Sequence, residues 1–99
     1  MKTDKPNEEK TVQEILQKAI DVFGGSQCII AIEEMSELQK EICKFQRGDL
    51  NRANLVEEMA DVTIMLEQLK IMFEVSDEEL LKEMERKLLR LEKRLEALE

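Results

Sequence analysis

Residues 60–66 read Ala60-Asp61-Val62-Thr63-Ile64-Met65-Leu66, an apolar run whose one charge is Asp61. Glu58 stands three residues earlier. At 100° per residue the flanking positions from Leu55 to Met72 are apolar almost all round. That pattern predicts a buried central helix rather than a surface one. A second apolar run, Ile29-Ile30-Ala31-Ile32, leads into a second acidic set, Glu33-Glu34-Met35-Ser36-Glu37. Carboxylates placed where a core belongs are costly unless something neutralises them.

Working outward, the periodicity predicts four helices. Val12, Ile15, Leu16, Ala19, Ile20 and Phe23 recur at helical spacing, so the first helix runs from about Thr11 to Phe23. Gly24-Gly25 ends it, and Ser26 is placed to cap the second helix, Gln27 to Gln46. Gly48 supplies the next stop. The third helix begins between Asn51 and Asn54, where Asn54 and Glu57 resemble a capping box, and runs to about Phe73. Ser76 and Glu79 form a second capping-box pattern and open the fourth helix at Asp77. Residues 1–10 are polar and are expected to be a disordered tail. The fold expected is therefore all-α: a single domain over residues 11–99, an antiparallel bundle of four helices. Its acidic metal site would lie between helices 2 and 3. The fourth helix carries Leu81, Met84, Leu88, Leu91, Leu95 and Leu98, spaced 3, 4, 3, 4, 3. This is the seam of a coiled coil or bundle, to be packed either within the chain or against a second copy.

Composition bounds the function. The charged fraction is 38% and the net charge is −8, with no His, Trp or Tyr. An acidic chain of this kind is a poor partner for nucleic acid or an anionic membrane, both of which need a basic surface. A small phosphate ligand brought in by a cation stays open. No apolar stretch approaches the ~20 residues of a membrane span, and the start has no apolar signal segment. Cys28 and Cys43 share the second helix about 22 Å apart, too far to bridge. Buried thiols in a reducing, cytoplasmic setting are the expectation.

The acids fall on stripes. Gln27, Ile30, Glu34, Glu37, Leu38, Glu41 and Phe45 share one stripe of helix 2; Asn54, Glu58, Asp61, Met65, Gln68 and Met72 share one of helix 3. A link of five to seven residues makes the two helices antiparallel neighbours. Measured from that link, Glu37 and Glu34 lie about 13 and 18 Å down, Glu58 and Asp61 about 9 and 13 Å. Four carboxylates then converge at matched depth. Lys40, Lys44, Arg47, Arg52 or the bases of helix 4 are the alternative neutralisers, and for any single Glu an ion pair is the simpler reading. Asp61, with no base within eight positions, fits it least. Hard divalent cations resolve such a cluster, and Mg²⁺ suits a few carboxylates plus water and phosphate, with Mn²⁺ a substitute. The missing His argues against zinc and against the Glu-x-x-His ligands of di-iron bundles.

Glu33-Glu34-x-x-Glu37, twenty residues, then Glu58-x-x-Asp61 resembles the motif of the MazG-like nucleoside triphosphate pyrophosphohydrolases, which sits on the two central helices of an all-α bundle. The resemblance covers roughly residues 11–95. It implies Mg²⁺-dependent hydrolysis of an NTP or dNTP to monophosphate and pyrophosphate, a nucleotide-pool house-cleaning activity. It implies Glu34, Glu37, Glu58 and Asp61 as metal ligands, with Glu37 or Glu33 as the proton acceptor. Lys44, Arg47 and Arg52 near the link are candidates to touch phosphate, and Lys82 and Arg86 on helix 4 are equally open. Asn54 is either a cap or a ligand contact. Phe23, Phe45 and Phe73 are expected in the core, which leaves no obvious base-stacking ring. The family also implies a homo-oligomer, a dimer or a dimer-of-dimers tetramer. The rival readings are a non-catalytic helical dimerisation module and a metal- or nucleotide-binding regulator.

Overall fold

The computed structural model of the chain describes residues 10–99. Four helices follow one another: α1 (Val12–Phe23), α2 (Ser26–Gln46), α3 (Arg52–Met72) and α4 (Asp77–Leu98). No strand occurs among the described residues, and the architecture is an all-α helical bundle. The expected polar tail, Lys10 apart, lies outside the described residues.

Local chemistry sets each boundary. Thr11 caps α1 through its hydroxyl, which accepts from the Glu14 amide at 3.1 Å, while the Glu14 carboxylate accepts from the Thr11 amide at 2.8 Å. That reciprocal pair is a full capping box. Ser76 and Glu79 build the same box at the head of α4, as their spacing predicts. Two other expected caps move. Helix α2 starts one residue earlier than expected, at Ser26 itself, and its N-cap is Gly25. The Ser26 hydroxyl instead donates to the Phe23 carbonyl at 2.7 Å, tying the head of α2 to the end of α1. Asn51, not Asn54, caps α3, its side-chain oxygen accepting from the Asn54 amide at 3.1 Å. Asn51 wins because it sits in extended backbone, where a side chain can fold back over the first turn.

The C-terminal ends of α2 and α3 close alike. After α2, the Asp49 amide donates to the Lys44 carbonyl at 2.8 Å and the Gly48 amide to the Phe45 carbonyl at 3.0 Å. After α3, the Val75 amide donates to the Lys70 carbonyl at 2.9 Å and the Glu74 amide to the Ile71 carbonyl at 3.3 Å. Both are Schellman closures, which put one residue in the left-handed region. Gly48 takes that position at φ 82°; Glu74 takes it at φ 54°, at a steric cost that glycine lacks.

Helices α2 and α3 make the main contact, with α1 laid against both and mostly against α3. Leu16, Ala31 and Met65 are the buried apolar side chains among the described residues. Gln68 is 2% exposed and donates to the Leu16 carbonyl at 3.5 Å, joining α3 to α1. Helix α3 is central, as its pattern predicts, yet Val56, Met59, Ile64 and Leu66 on it remain about half exposed. Phe23, Phe45 and Phe73, expected in the core, are all exposed: each lies at the C-terminal end of its helix, past the packed segment. Cys28 is half-buried and Cys43 exposed, both free, so the expectation of two buried thiols is met in part at Cys28 and fails at Cys43.

Helix α4 leaves the rest of the chain. Its start is tied by the Lys70–Asp77 ion pair and shares an apolar groove with the end of α3, where Leu80 and Met84 face Leu66, Leu69 and Phe73. None of its residues is buried. The molecule is 62 Å long, about twice the ~33 Å of a 22-residue helix, so α4 does not lie alongside the bundle. The within-chain option for its leucine seam is thereby excluded beyond Met84.

Candidate metal centre

The apolar stripe that docks α2 onto α3 carries its acids with it. Buried Ala31 precedes Glu34 by three residues, and buried Met65 follows Asp61 by four, so packing these apolar positions turns the acids inward along the same seam. As a result Glu34, Glu58 and Asp61 each offer a carboxylate oxygen within 4.8 Å of the other two, and all three are half-buried. Among the described residues no Lys or Arg pairs with any of them. Glu58 Oε2 is buried without a hydrogen-bond partner.

The electrostatics follow from that crowding. Desolvation, then the charges of Asp61 and Glu58, hold the Glu34 carboxyl above the usual carboxylate range. Desolvation, then the charges of Asp61 and Glu37, raise Glu58 in the same direction. Both shifts mean that the ionised cluster is strained, first by the loss of solvent and then by its own charge.

Of the four acids expected to converge, three do. Glu37 lies beside them and adds to their repulsion, but it is turned toward Lys40, at 3.4 Å in a solvent-exposed pair. Glu33 is exposed on the neighbouring outer face and stays out of the cluster. Glu41 is the acid whose weight the sequence understated. It is 7% exposed, its Oε2 accepts from Lys44 at 3.0 Å, and its Oε1 is buried with no partner. Its place on the Glu34–Glu37 stripe, one helical turn on, was the available signal.

A cleft of about 430 Å³ opens over the cluster, lined by Glu34, Glu37, Lys40, Glu41, Asn54, Glu57 and Glu58. Asn54, released from capping, belongs to this lining. Lys44 reaches the edge of the site through Glu41. Arg47 caps α2, Arg52 opens α3, and both are exposed without an ion pair among the described residues. Arg86 pairs with Glu83 on the far helix, and Lys82 is exposed there, so neither is brought to the cleft.

No single helix among the described residues is long and apolar enough to cross a membrane; α1 and α2 pass such a test only as a pair bent by 114°. No protein-family model, curated protein or solved structure matches the chain. The likeness to MazG-like enzymes therefore rests on the sequence motif alone.

Proposed function

We propose that the chain is a Mg²⁺-dependent nucleoside triphosphate pyrophosphohydrolase of the MazG-like kind, working in the cytoplasm as a homo-oligomer. One observation carries the reading: Glu34, Glu58 and Asp61 converge within 4.8 Å with no ion-pair partner among the described residues, and a buried Glu58 oxygen has no hydrogen-bond partner. An all-oxygen donor set of this charge fits a hard divalent cation. Glu34, Glu58 and Asp61 would hold it, with Glu37 able to swing in from its exposed pair with Lys40. When bound there, the cation supplies charge neutralisation for a triphosphate and a water of lowered pKa.

The remaining roles fall to the chain itself. The cleft has the size of a small-molecule site, roughly 300–1,000 Å³ in general, and is polar enough for a phosphate chain. Asn54 offers an amide to the ligand from the cleft wall. Lys40 and Lys44 offer the cations closest to the acids, and Arg47 lies one helical turn past Lys44. Glu37 is better placed than Glu33 to accept a proton from an attacking water, because it lines the cleft and Glu33 does not.

The test is pyrophosphate release from a panel of NTPs and dNTPs with Mg²⁺. Turnover of at least one nucleotide, abolished by chelator and by Glu58→Gln, is expected. Absence of turnover across the panel, with no Mg²⁺-induced rise in melting temperature, refutes the reading. Thermal stabilisation by Mg²⁺ without turnover selects the regulatory alternative.

A further inference from the structure

We propose that α4 pairs with α4 of a second copy as a parallel, in-register coiled coil. This builds on the homo-oligomer part of the reading above and is independent of its metal chemistry. The starting observation is that α4 has no buried residue and, past Met84, no neighbour in its own chain. A lone helix of this length is marginal in water, and its half-exposed leucines need a cover.

The heptad register names that cover. With Leu81, Leu88 and Leu95 at position a, Met84, Leu91 and Leu98 fall at d. The flanking e positions are then Glu85, Glu92 and Glu99, and the flanking g positions after Leu80 are Lys87 and Arg94. All the e residues are acidic and both charged g residues are basic. In a parallel pair, g of one helix meets e of the other five residues further on. Lys87 then faces the partner's Glu92, and Arg94 faces the partner's Glu99, each twice by symmetry. In an antiparallel pair g faces g and e faces e, which sets Lys87 and Arg94 against bases and the glutamates against one another. The charges therefore select orientation as well as partner. Within the chain, Lys87, Arg94 and Glu92 form no ion pair among the described residues, so all are free to act in the pair.

The experiment uses the full chain in sedimentation equilibrium. A concentration-dependent dimer is expected; a monomer throughout overturns the proposal. Lys87→Glu with Arg94→Glu should raise the dissociation constant by about a hundredfold, since four attractions become four repulsions. Mixing that variant with Glu92→Lys/Glu99→Lys chains should restore association. These are exposed positions, so folding is not at issue, and circular dichroism of each variant checks it. An unchanged dissociation constant in the first variant overturns the zipper. Orientation is read with Leu98→Cys in a Cys28→Ser/Cys43→Ser background. A parallel pair brings the two thiols together and oxidation gives a covalent dimer. An antiparallel pair holds them about 25 Å apart, and absence of the cross-link refutes the parallel arrangement.

Discussion

Asp61→Asn is the substitution on which the metal reading is most exposed. Removing a charge from a half-buried acid ordinarily destabilises a protein when that acid holds a salt bridge, by about 3–5 kcal/mol where the pair is buried. Asp61 has no basic partner among the described residues. Its neighbours are carboxylates, with oxygens no more than 4.8 Å away. Two like unit charges at that distance repel by roughly 1 kcal/mol at the dielectric of water, and by more as solvent is excluded. The cluster keeps contact with solvent, so the water-like figure is the one to use. The Asp61–Glu34 pair alone is then worth about 1 kcal/mol, and Glu58 adds in the same direction.

The metal-free Asp61→Asn variant should therefore melt about 4–8 °C higher than the parent. The order should reverse with millimolar Mg²⁺, because the parent gains stability from the bound cation and the variant has lost a ligand. Differential scanning calorimetry of both proteins, in chelator and in Mg²⁺, gives the four melting temperatures. A fall in the metal-free melting temperature refutes the reasoning, since it would mean that attraction at Asp61 outweighs the repulsion among the carboxylates. Equal Mg²⁺ responses would remove Asp61 from the site.

Other expectations follow from the same structure. Glu34 and Glu58 have folded-state pKa values above their unfolded ones, so the folded chain holds extra protons between the two; without metal their contribution to stability falls as pH rises from about 4.5 through the folded values. Glu14 and Glu83 are lowered and act oppositely, so the measure is the difference in pH slope between the parent and Glu58→Gln: the variant should lose part of the decline, and an identical slope refutes the shift. Asn51→Ala should cost about 1 kcal/mol through the lost cap, read by urea denaturation, whereas Asn54→Ala should leave stability within about 0.5 kcal/mol and raise KM for the nucleotide instead. Glu74→Gly should raise the melting temperature by a few degrees by relieving the left-handed backbone at φ 54°; a decrease would show that the Glu74 side chain contributes more than its backbone costs.

How much of this was legible beforehand differs by type of signal. Helices and their order follow from apolar period and from Gly24, Gly48 and Ser76, and the depth argument brings Glu34, Glu58 and Asp61 to one level because rise per residue is fixed. Caps are less legible. Asn51 and Asn54 both satisfy the side-chain chemistry, and only the backbone, extended at one and helical at the other, decides between them. Rotamer-level outcomes were legible only as alternatives: Glu37 sits on the right stripe but pairs with Lys40 three residues on, one of the bases the sequence offered as a neutraliser, and the sequence did not say which acid would be taken. The phenylalanines mislead for another reason. Hydrophobicity says that a residue will be covered, not whether its own chain does the covering, and a chain of this length need not supply the cover.

That distinction separates two sources of stability. Among the described residues only three apolar side chains are buried by the chain alone, one each on α1, α2 and α3. The acidic cluster strains this same α2–α3 seam, so a divalent cation acts there. The exposed leucines of α4 beyond Met84 gain only from a second copy, and α4 is tied to the bundle near its start, by the Lys70–Asp77 pair and the groove that holds Leu80 and Met84. Sites with no shared partner contribute additively. The rise in melting temperature with Mg²⁺ should then be the same, within about 1 °C, at protein concentrations below and above the dimer dissociation constant, because each effect enters through its own binding equilibrium. A Mg²⁺ response that grows on dimerisation would break this separation. It would place side chains of the second copy at the acidic cleft, and Glu34, Glu58 and Asp61 would no longer suffice to describe the centre.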